Sequence, residues 1–138
     1  MKFNIPKHCE IRWQAALAVL EDLQEDESAP FNMRQLADDE TLWEKTNGCG
    51  TAACFAGYIS VSPYCRALGY PVGDDGLYAD HWLLGDEDND EILFEEIFAS
   101  NLDKGSRVKT LRYLKRTLKT IFKESTGKKL VAPLTFYY

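Results

Sequence analysis

The sequence predicts a mainly α fold, a single compact domain of about five or six helices with a short extended C-terminal tail. Apolar residues recur at helical spacing through segments free of internal proline and glycine, and capping residues stand at the ends of those segments. The length of 138 residues fits one domain, and 45% hydrophobic with 28% charged residues describes a globular chain able to bury a core.

Residues 7 to 25 form the first expected helix. Ile11, Trp13, Ala15, Ala16, Leu17, Val19, Leu20 and Leu23 give it a broad apolar arc, as a well-covered core helix has. The acidic stretch from Gln24 to Pro30 reads as a connection, and Arg34 to Lys45 as a short acidic helix or turn. Thr51 is a natural N-cap for Ala52 to Ser60, because its hydroxyl can accept from an orphan backbone N–H. Ser62-Pro63 opens the next helix in the same way and Gly69 closes it. After the turn Gly73-Asp74-Asp75-Gly76, a short amphipathic piece runs from Leu77 to Leu84 and stops at Gly85. Glu91 to Ser100 has helical spacing over two faces. The last helix runs from an N-cap at Ser106 to about Glu124, with Gly127 beyond it. Its apolar face is Val108, Leu111, Leu114, Leu118, Ile121 and Phe122, and Lys109, Arg112, Lys115, Arg116, Lys119 and Lys123 occupy the neighbouring face. Leu130 to Tyr138 is a mixed, β-prone tail that ends in three aromatic residues.

No run of about 18 apolar residues exists. Met1 to Pro6 lacks a signal-peptide apolar stretch, so the expectation is a cytoplasmic protein without a membrane partner. In that compartment Cys9, Cys49, Cys54 and Cys65 are expected as reduced thiols.

The net charge of −6 conceals a division. Residues 1 to 103 carry 6 basic and 21 acidic side chains, residues 104 to 138 carry 10 and 1, and the two parts are therefore −15 and +9. An acidic body repels phosphate backbones, which excludes non-specific nucleic-acid binding as the expected activity. The basic helix is expected to fold back on its own acidic body or to present an anion site. In the second case Arg112, Arg116 and Lys119 would be the ligand-binding residues, completed by the N–H groups at Thr51 and Ala52. Trp13, Trp43 and Trp82 could stack a base there, although tryptophans at such spacings are more often core.

Cys49 lies just before an expected helix start, where the macrodipole favours a thiolate. The base for a cysteine nucleophile would be His81, yet the 31 positions between the two hold a helix pair and a turn rather than the long helix and strands of cysteine peptidases. Packing is the competing reading for the small residues Gly48, Gly50, Ala52, Ala53, Ala56 and Gly57, and for Cys49 and Cys54 among them. A zinc site would use Cys49, Cys54 and Cys65, with Cys9 or His81 as a fourth ligand, but no second close pair follows the first. Asp86 to Asp90 begins like a calcium loop and then departs from it, with Glu91 at the glycine position and Ile97 at the bidentate position. No metal or cofactor is therefore expected.

The run Cys49-Gly50-Thr51-Ala52-Ala53-Cys54-Phe55-Ala56-Gly57 resembles the C-G-T-x-x-C-x-A-G signature of a family of small uncharacterised bacterial and phage proteins. Phe31-Asn32-Met33 upstream, and Leu83-Leu84-Gly85 with Leu93-Phe94 downstream, resemble flanking segments of the same family. The chain departs from it at Tyr58, where tryptophan is commoner, and at Asp86, where an apolar residue is usual. The resemblance spans about residues 30 to 100 and implies a mostly helical fold and a mobile-element origin, with no activity attached to particular residues.

The expected function is that of a small cytosolic interaction protein, a phage accessory factor that binds and modulates a host protein. A binding protein that sequesters a small phosphorylated or nucleotide ligand is the alternative, and a cysteine hydrolase using Cys49 and His81 is the second. An enzyme is the less expected outcome, and a homo-oligomer is left open.

Overall fold

The computed structural model describes residues 2–27, 31, 55–71, 78–85, 92–99, 102 and 104–132. These residues form a mainly helical architecture with no strand among them. A 3₁₀ turn at Lys7–Cys9 leads into α1 (Glu10–Glu25); α2 (Phe55–Val61), α3 (Pro63–Ala67), α4 (Ala79–Leu83) and α5 (Ile92–Ile97) are short, and α6 (Arg107–Thr126) is the longest. None of the described helices is long and apolar enough to cross a membrane.

The central pairing is α1 against α6, and α2 to α5 gather around it. Trp13, Ala15, Ala16, Leu17, Ala18, Val19, Leu20 and Leu23 of α1 are all buried, so this helix is covered on nearly every side. The small residues Ala15, Ala16 and Ala18 let neighbouring backbones approach closely, and the large ones fill the space between them. Against it α6 lays Leu111, Leu114, Leu118, Ile121 and Phe122, with Trp13 and Phe122 in tilted ring contact at 5.9 Å. Leu130 beyond α6 is buried in the same core.

Local capping chemistry sets the helix ends. Ser62 Oγ accepts from the Tyr64 backbone N–H at 3.2 Å with Pro63 in the first turn, and Ser106 Oγ accepts from the Lys109 N–H at 3.2 Å. Gly127 closes α6 in the left-handed region at φ 76°. Val108 corrects the expected apolar face of α6: it is 61% exposed, turned away from the buried row formed by Leu111, Leu114 and Leu118. Arg34 to Lys45, Thr51 to Cys54, the Gly73–Gly76 turn, the Asp86–Asp90 stretch and the tail residues 133–138 lie outside the described residues.

Candidate functional site

The basic face of α6 divides into cations already engaged and cations left to solvent. The guanidinium Nη2 of Arg107 donates to the carbonyl oxygens of Leu23 at 2.6 Å and Asp26 at 2.7 Å, at the C-terminal end of α1. That end carries Asp22, Glu25, Asp26 and Glu27 and no basic residue, so its carboxylates face the negative pole of their own helix and a cation there relieves both. Lys115 Nζ lies 3.3 Å from Glu21 Oε2 and donates to Gln24 Oε1 at 3.2 Å, while Lys128 Nζ pairs with Glu10 Oε1 at 2.8 Å. The basic segment therefore docks on the acidic first helix through three of its cations.

Lys109, Arg112, Arg116, Lys119 and Lys123 form no ion pair or side-chain hydrogen bond with another described residue. Their spacing of 3, 4, 3 and 4 positions places them in one stripe opposite the buried face. At a rise of about 1.5 Å per residue the stripe runs for roughly 21 Å along the helix. Lys119 is half-buried and the other four are exposed. The expected ligand-binding residues Arg112, Arg116 and Lys119 are thus brought together on a convex helix surface, and Thr51, their expected complement, lies outside the described residues.

The cysteine and zinc candidates are only partly within the described residues, because Cys49 and Cys54 are not among them. His81 is half-buried in α4 and stacks on Tyr78, with ring centroids 6.0 Å apart. Cys9 and Cys65 are buried thiols. Burial pushes the Cys65 thiol up to about 12, against a smaller opposing effect of its hydrogen bond with Ser62, so it is neutral near pH 7 and no ready zinc ligand. No group of three metal-ligating side chains occurs among the described residues. Trp13 and Trp82 are core residues rather than stacking platforms, and Trp43 lies outside the described residues.

A second feature has no counterpart in the sequence reading. A cavity of about 310 Å³ opens where the C-terminal turns of α1 meet the α2–α3 junction, lined by Val19, Asp22, Leu23, Asp26, Tyr58, Ser62, Pro63 and Tyr64. Val19, Leu23 and Ser62 are buried, Asp22, Tyr58 and Tyr64 are half-buried, and Pro63 and Asp26 are exposed at the rim. The Tyr64 hydroxyl donates to Asp22 Oδ2 at 2.5 Å. Burial raises the Tyr58 phenol above its ordinary value; the Arg107 charge pulls it back and Asp26 adds to the rise. Asp22 and Tyr64 are 42 positions apart, so periodicity in either helix could not pair them. A signal was nevertheless present in the four carboxylates gathered at the unfavourable end of a helix.

The cations of α6 and the carboxylates of α1 thus form two opposite candidate surfaces, and neither can be read against a relative, since no protein-family model, curated protein or solved structure matches this chain.

Proposed function

We propose that this protein is a small cytosolic interaction protein that engages an acidic partner protein through the stripe Lys109, Arg112, Arg116, Lys119 and Lys123. In the mobile-element setting implied by the C-G-T-x-x-C-x-A-G resemblance, the partner is a host protein whose activity is modulated by stoichiometric binding.

The observation that carries this reading is the division of the cations. Arg107, Lys115 and Lys128 hold α6 to α1, so the fold already has the cations that anchor this helix, and the stripe is left over. A row of exposed charges in high dielectric adds little to folding, but it steers and orients an oppositely charged partner. The shape of the stripe also distinguishes partners. Small phosphorylated ligands are held in concave sites, whereas these five side chains project from the outer face of a helix, suited to an extended anionic surface.

Native mass spectrometry of the protein recovered from its expressing cells, compared with Arg112→Glu/Arg116→Glu, tests the proposal. The expected result is a second polypeptide in fixed stoichiometry with the wild type, absent from the double variant while its thermal unfolding is unchanged, and retained by Cys49→Ala. A small phosphorylated molecule in place of the polypeptide would overturn this reading in favour of the ligand-sequestering one. A polypeptide retained by the double variant would remove the stripe from recognition.

A further inference from the structure

We propose that the cavity between α1 and the α2–α3 junction is a binding site for an alkylammonium group, with its carbon stem against Val19, Leu23 and the rings of Tyr58 and Tyr64 and its charge at Asp22. This site is independent of the basic stripe and has the opposite electrostatic sign.

Three properties of the cavity point to that chemistry. The first is size: at about 310 Å³ it stands at the small end of ligand-binding pockets, with room for a side-chain-sized group. The second is the wall. Val19, Leu23 and Pro63 are apolar, and the half-buried rings of Tyr58, which is stacked with Phe31, and Tyr64 complete a lining that suits a methylene chain. The third is charge. Asp22, in the last turn of α1, lines the cavity and Asp26, the C-cap residue of that helix, stands at its rim, where the helix dipole adds its negative end. These fields favour a cation at Asp22, on the α1 side of the cavity, while the Arg107 charge that acts on Tyr58 opposes them at the other wall.

Asp22 is held in place without being used up. Tyr64 donates to Oδ2, which fixes the carboxylate against the cavity wall, and an ionised carboxylate has acceptor sites on both oxygens. The Arg107 guanidinium donates to the Leu23 and Asp26 carbonyls and is not part of the lining. The ammonium can be that of a free alkylamine or of a lysine side chain.

The test is NMR titration of the full chain, observing the ring signals of Tyr58 and Tyr64, with three probes of similar length: n-pentylammonium, Nα-acetyl-lysine methylamide and the neutral n-pentanol. Saturable shifts of both rings by an ammonium probe are expected in the millimolar range, with n-pentanol at least about tenfold weaker. Preference for the lysine derivative identifies a partner's side chain as the source, and preference for pentylammonium a free amine. Asp22→Asn should weaken binding by about tenfold. Equal binding of n-pentanol, absence of saturation by both ammonium probes, or unchanged affinity in a folded Asp22→Asn variant would each overturn the proposal.

Discussion

The indole Nε1 of Trp13 donates to the carbonyl oxygen of Leu83 at 2.9 Å, within the core and across 70 positions of sequence. Its neighbour Arg12 donates to the carbonyl of Trp82 at 2.7 Å and lies over the Trp82 ring at 5.2 Å. Two consecutive residues of α1 thereby satisfy two carbonyls at the end of α4, a five-residue helix too short to be stable by its own hydrogen bonds. Trp13→Phe would leave the Leu83 carbonyl buried without this donor and open a small void. A loss of about 2–4 kcal/mol is expected, read as a lower urea midpoint with an unchanged slope. Arg12→Ala, at a half-buried position, should cost only about 1 kcal/mol.

Arg107 does at the other end of α1 what Trp13 does for α4. Its guanidinium bonds to Leu23 and Asp26 make the beginning of α6 a cap on α1. Arg107→Met keeps much of the stem and removes the charge, so stability should fall by about 1–2 kcal/mol, more at low salt than at high. The same variant removes a charge that lowers the Tyr58 phenol, so the phenol should titrate still higher. Ultraviolet titration of phenolate formation in wild type and variant, with Tyr58→Phe to assign the transition, reads this shift. An unchanged Tyr58 transition would mean that the guanidinium is screened from the ring.

Features governed by neighbouring residues were legible in the sequence. The serine caps at Ser62 and Ser106 and the glycine at Gly127 act within a turn or two of chain, and they stand where the local chemistry demands. The two faces of α6 follow from helical periodicity alone. What periodicity does not contain is the rotation of α6 on α1: Lys115 reaches Glu21 while Arg116, the next residue, faces solvent, and Val108 falls outside the contact although it shares a helical face with Leu111. The cavity was illegible for the same reason, since it exists only once Asp22 and Tyr64 are brought together from separate helices. The Cys49 segment, the most distinctive run in the sequence, lies outside the described residues.

Gly85 ends α4 at φ 69°, a conformation that costs glycine little and other residues more. A Cβ at this position would stand 3.0 Å from Cys9 Sγ and 3.2 Å from Pro6 Cγ, both close to the start of α1. The two penalties act together, because a buried thiol and a proline ring cannot withdraw as a flexible surface side chain can. Gly85→Ala is expected to lose about 2–3 kcal/mol, whereas Gly69→Ala, with open space around its Cβ, should lose only the backbone share of about 1 kcal/mol. Thermal unfolding of the two variants side by side separates crowding from conformation, and equal losses would assign the whole effect to conformation.

Cys65 gives the fold a specific response to alkaline pH. Burial favours the neutral thiol and raises it from 9.0 to about 12. For a group raised in the folded state the sign is fixed: its contribution is fully present below the ordinary thiol value and is lost as pH climbs from about 9 to about 12, since only the unfolded chain can ionise freely in that window. Other groups titrate over the same range, so the measurement is the difference in urea stability between wild type and Cys65→Ala, followed from pH 7 to 11. The stability advantage of wild type should shrink through the upper part of that range. At pH 8 the native thiol should also react with iodoacetamide far more slowly than in urea, because both the thiolate fraction and access are suppressed. Rapid alkylation of Cys65 in the folded protein, or a stability difference that stays constant to pH 11, would show that the thiol is less enclosed by α3 and its neighbours than its burial indicates.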